Sequence, residues 1–163
     1  FGLDELQMAR TQDPLEAQLL DMILGTFAVG EVTALALLRH ALDAVPESGF
    51  RAVLDAIIRD EALHGWIGPA LLGYLRAENP PWLRWPGDAA IVARARGHIA
   101  AMAARDVIEP DEARAFEDPD LAAALMALGI PPSGPFRAAY LRALAEDVPK
   151  GLARAGLDLG PRA

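Results

Sequence analysis

The stretch "IIRDEALHGW", residues 57 to 66, sets Glu61 and His64 three positions apart in an otherwise apolar run. Residues at i and i+3 share one face of a helix, so this carboxylate and imidazole can reach the same ion. Earlier in the chain, within "GEVTALALL" (30 to 38), Glu31 interrupts a second apolar run. Oxygen and nitrogen donors of this kind suit iron or manganese, and zinc as well. The chain has no cysteine and three histidines, so disulfides, thiolate zinc sites and cysteine nucleophiles are excluded.

Helices must carry these residues. The 163 residues are 53% hydrophobic, enough for a single domain with a sizeable core. Alanine, leucine and arginine dominate over β-branched and aromatic residues, which predicts an all-α fold. "DPLE" (13 to 16) predicts a helix start with Asp13 as N-cap, Pro14 at the first position and Glu16 closing a capping box. That helix runs to Val45, before Pro46, with an inward stripe of Leu20, Ile23 or Leu24, Phe27, Glu31, Leu35 and Leu38. A second helix starts near Ser48 and points Phe50, Leu54, Ile57, Glu61, His64, Gly68, Leu71 and Leu75 inward, with a kink at Pro69. The pair covers 14–76. A connector rich in Pro and Trp, "AENPPWLRWPGD" (77 to 88), leads to C-terminal helices over 88–156: Asp88 to Val107, a short one from Asp118 and Pro119 to Gly129, and a last one from about Pro135 to Ala155. The last is bent at Pro149 and capped by Gly156. The acidic segment 109–120 lacks the ligand pattern of a calcium loop and reads as a solvated connection.

An antiparallel hairpin around Pro46 and Glu47 brings the three residues together. Glu31 lies about 15 residues before the turn, and Glu61 and His64 about 15 and 18 after it, all roughly 22 to 26 Å along the helices. Two carboxylates buried without compensation cost several kcal/mol, and a divalent cation supplies the compensation. The alternatives are a hydrogen-bonded Glu31–His64 pair and stripes facing a solvent channel.

"GEVTALALL" and "RDEALHGWIG" (59 to 68), separated by "VPESGFRAVLDAI", resemble the second helix pair of the ferritin-like superfamily, best over residues 20 to 75. The resemblance implies half of a four-helix core, with Glu31 as a terminal ligand, Glu61 bridging two metals and His64 as a terminal nitrogen ligand. Asp60 corresponds to an acid that hydrogen-bonds a histidine on the opposite pair; otherwise it is a surface acid. The cofactor implied is two iron ions, or iron with manganese, and the chemistry that of an oxidase, oxygenase or ferroxidase of bacterial type.

Only one half-site is present. His40 and His98 lack the preceding glutamate and read as surface or helix-end residues. The non-Met start suggests the C-terminal part of a longer protein, whose upstream helix pair would complete the site; the other route is a homodimer sharing it across a two-fold axis. The competing reading is an inactive helical scaffold, with the three residues as a buried polar network and Trp66, Trp82 and Trp85 as a partner surface. A net charge of −8 argues against nucleic acid and anionic membranes. The window 19 to 38 has the length of a span, but Asp21 and Glu31 within it favour a bundle helix. Cytoplasmic location is the expectation, although the absence of cysteine leaves the redox compartment open.

Overall fold

The computed structural model describes residues 13–46, 49–81, 83–105 and 114–160. All regular structure there is helical, as composition predicts, with no strand among the described residues. Five helices follow in order: α1 (Leu15–Ala44), α2 (Gly49–Glu78), α3 (Asp88–Ala103), α4 (Pro119–Ala127) and α5 (133–154).

α1 is the spine. Its middle third packs against α2 and α3, and its second half against α5. Its length and a mean hydropathy of 1.6 would allow it to cross a membrane. However, Leu20, Ile23, Leu24, Ala28 and Val29 are at most 1% exposed, covered by Leu72, Ile91, Tyr140, Val148 and Leu152 from the other helices. The apolar run is thus a core strip.

α1 changes winding within its length. Met22–Glu31 is a π-helix, flanked by α-helical Leu15–Asp21 and Val32–Ala44. Wider turns space same-face residues by four or five rather than three or four. The buried side therefore steps through Leu20, Leu24, Ala28 or Val29, and Thr33. Phe27, Leu35 and Leu38, expected to face inward, are only partly buried. α2 deviates similarly: Leu54, Ile58, Gly68, Leu72 and Leu75 are buried, while Phe50 and Ile57 are 42% and 40% exposed. Leu20, Ile23, Leu24, Leu54, Gly68 and Leu75 are buried as expected, while on α2 the core face takes Ile58 and Leu72 in place of Ile57 and Leu71.

Helix ends follow local chemistry with one exception. Asp118 accepts hydrogen bonds from the Asp120 and Leu121 amides, with Pro119 following. α5 ends in a Schellman motif: Leu157 N–H donates to Leu152 O at 3.0 Å, Gly156 N–H to Ala153 O at 2.9 Å, and Gly156 takes φ +76°. The exception is the expected capping box. Pro14, with an extended ψ of 147°, is itself the N-cap and has no side-chain cap bond, and the Asp13 carbonyl instead accepts from Gln18 Nε2 at 2.7 Å. α2 passes through the buried Pro69 as one helix, and α3 closes at Ala103 rather than Val107. Glu47, Ser48, Trp82, Val107 and residues 109–113 lie outside the described residues.

α1 and α2 are antiparallel and touch backbone to backbone. A Cβ built on Gly68 would lie 2.6 Å from both Ala28 N and Phe27 C. Those are main-chain atoms that cannot swing aside. Gly68→Ala should therefore lower stability by about 1–3 kcal/mol despite alanine's better helix propensity. Gly97→Ala, in α3 with nothing within 4 Å of its added carbon, should raise stability by about 0.5–1 kcal/mol. Urea unfolding of the two variants checks the contrast.

Candidate metal centre

Glu31 is the last residue of the π-helical stretch, where α1 returns to tighter winding, and Glu61 and His64 face it from α2. The three offer one carboxylate oxygen each from Glu31 and Glu61 and one ring nitrogen from His64, all within 4.8 Å of one another. His64 Nδ1 lies 2.9 Å from Glu61 Oε2. Two ligands about 2.1 Å from one ion at right angles are about 3.0 Å apart, so that edge already has the spacing of a coordination shell. The spread across the whole group is somewhat wider, up to 4.8 Å.

None of the three is fully buried. The Glu61 side chain is 27% exposed and that of His64 41%, and Glu31 is likewise half-buried. The expectation of a fully inward trio is corrected accordingly: the shifted core face leaves them at its margin. Asp60 is exposed and outside the cluster, contributing only its charge, which favours protonated His64.

The electrostatics are those of a negative site. Burial pushes the Glu31 carboxyl above its ordinary pKa, and the nearby Glu61 carboxylate pushes it further, against a smaller lowering by His64. The hydrogen bond to Glu61 raises His64, opposed by partial desolvation and reinforced by Glu61, Asp60 and Glu31. Both shifts favour the protonated forms, with which a cation would compete.

A second polar cluster was not foreseen. Asp21 receives Arg94 at 2.8 Å and His98 Nε2 at 3.0 Å, and Arg94 also donates to the Ala17 carbonyl at 3.1 Å. Gly25 lies directly against the His98 ring. His98 is therefore an interhelical residue rather than a plain surface histidine. The available signal was Arg94 and His98 at i and i+4 on one helix, with an unexplained Asp21 in the most apolar window. His40 is half-buried in α1 and its Nε2 has no hydrogen-bond partner among the described residues.

Compared with protein-family models, curated proteins and solved structures, the chain matches none.

The Glu31 shift has a measurable consequence without metal. Because its pKa is raised in the fold, folded protein holds this proton to higher pH than the unfolded chain does. The stability it contributes is complete below the ordinary value of 4.5 and is lost as pH rises through the raised value. Gln cannot ionise, so Glu31→Gln should match wild type near about pH 4 and exceed it near about pH 7. The gain should be under about 1 kcal/mol because solvent screens the site. Urea unfolding in chelator at both pH values reads it.

Proposed function

We propose that this chain is a ferritin-like metal protein of the cytoplasm, in which Glu31, Glu61 and His64 form one half of a dinuclear iron, or iron and manganese, site of oxidase or oxygenase type. The carrying observation is the convergence of two acids and one histidine from neighbouring helices within 4.8 Å. The donor set fits: two hard oxygens and one imidazole nitrogen suit iron or manganese, and the excess of negative charge favours a divalent cation.

When bound, iron at such a site supplies redox activation of dioxygen or peroxide. The chain's own residues do the holding. Glu61 stands beside His64 and within interaction distance of Glu31, so that it would be the bridging carboxylate of such a site and Glu31 and His64 its terminal ligands. Without an ion, Glu61 accepts from Nδ1 of His64 and keeps the ring turned toward the cluster; a bound cation would compete with the proton there and with protonation of Glu31.

A strip left partly exposed by the described residues supports a second half. Phe50, Val53 and Ile57, 42%, 52% and 40% exposed, follow one another at steps of three and four along α2 and lead to Glu61 and His64. An upstream helix pair or a second copy of this chain, seated on the strip, would cover it and bring further ligands. The scaffold reading draws on a different fact: the Glu61–His64 bond satisfies both groups without an ion.

Metal analysis separates the two. Protein purified without chelator should carry iron or manganese, about two ions per complete bundle. Glu61→Ala and His64→Ala should each lose most of it while keeping wild-type helicity by circular dichroism. No metal above trace, even after anaerobic loading with ferrous iron, leaves the scaffold. Full metal retention in His64→Ala removes His64 from the ligand set.

A further inference from the structure

We propose that a groove between α1, α2 and α5 binds a small amphiphile with an apolar body and a carboxylate head. The groove has a volume of about 620 Å³, within the usual range for small-molecule sites. Val32, Leu35 and Pro69 give it an apolar lining, and Gly65 and Gly73 keep side chains out of the space. Trp66 and Tyr74 also line it and are 63% and 62% exposed, leaving aromatic surface free to cover an apolar ligand.

The head group follows from the charges. In a chain of net charge −8, this groove is lined by Arg39, Lys150 and Arg154 against a single acid, Asp147. Lys150 is engaged by Glu146 at 3.6 Å and Asp147 at 3.7 Å. Arg39 and Arg154 make no hydrogen bond or ion pair with any described residue, so two guanidinium groups remain free for a planar, bidentate anion. An apolar lining with two uncommitted arginines selects a fatty or aryl carboxylate over a neutral lipid or a cation.

The groove adjoins the metal centre, with Val32, Ala62 and Gly65 next in sequence to Glu31, Glu61 and His64, but none of those three lines it. Trp66 projects about 200° around α2 from His64, so the inference stands or falls without the metal reading. Titration calorimetry with octanoate and with 1-octanol, which share a chain and differ in the head, tests it. Octanoate should bind saturably at one site, and 1-octanol about tenfold more weakly or worse. The double variant Arg39→Ala/Arg154→Ala should lose about tenfold in octanoate affinity, close to 1.4 kcal/mol. It should do so with unchanged helicity and unchanged binding of 1-octanol. Trp66→Ala should weaken both ligands. Equal affinity for the two, an unaffected double variant, or no saturable octanoate binding would each overturn the proposal. So would sedimentation showing a dimer that octanoate does not perturb and the double variant abolishes, because the groove would then belong to a second copy.

Discussion

The contact of α2 with α1 at Gly68 sets the spacing on which the rest of the structure depends. Helix axes usually stand 8–10 Å apart because side chains intervene. Here a missing side chain lets the α2 backbone rest on that of Phe27 and Ala28. Gly68 is one turn beyond His64, so the tight contact lies immediately beside the Glu31, Glu61 and His64 cluster. The close approach there shortens the reach that Glu31 needs to meet Glu61 and His64 across the two helices. Gly65, with its nearest neighbours at Leu35 and Val32, continues the approach toward the groove side. One narrow seam thus serves two flanks of α2.

The winding of α1 decides what that seam presents. A ten-residue π-helix, Met22–Glu31, sits where α2 and α3 both pack. Its wider turns bury Ala28 and Val29 together and turn Glu31 to the core margin. Long π-helices are uncommon because their hydrogen-bond geometry and side-chain spacing are inferior, and short ones concentrate at functional sites. This one is held by tertiary packing on two sides, and it ends at the residue that faces Glu61 and His64. Thr33, completely buried just beyond it, returns its hydroxyl to the Val29 carbonyl at 2.6 Å, marking the restored α-helical ladder.

These features explain what could and could not be read from the sequence. Punctuation was legible wherever one residue type settles the backbone: Asp118 and Pro119 start α4, and Gly129 and Gly156, at φ +81° and +76°, end α4 and α5. The meeting of Glu31 with Glu61 and His64 was legible too, because counting residues from a hairpin at Pro46 needs only the helical rise. The inward stripes were legible in part: Leu20, Ile23, Leu24, Leu54, Gly68 and Leu75 are buried as expected, and the rest are not. A period of 3.6 assumes uniform winding, and nothing in "MILGTFAVGE" announces an extra residue per turn. Hence Phe27 and Leu35 fell short of the core, while on the regularly wound α2 the buried face takes Ile58 and Leu72 in place of Ile57 and Leu71. The network around Asp21 escaped because its partners, Arg94 and His98, lie on a helix more than seventy positions away, and only packing brings it near.

The two polar clusters also differ in a way that bears on what each is for. Around Asp21, one acid meets an arginine and a histidine, so the charges balance within the protein, and the Ala17 carbonyl takes up a further arginine donor. Such a set is complete and fastens α3 to α1. Around Glu31, two acids meet one histidine. Unless His64 carries a proton the balance is two negative charges, and even then one remains. Folding brings those carboxylates together at the expense of a displaced Glu31 titration, against what stability alone would favour. Substituting an apolar residue for either glutamate would relieve the repulsion without disturbing the Gly68 seam. With Glu31 and Glu61 ionised, the second set carries the surplus of negative charge that the first lacks, the condition under which a divalent cation is favoured.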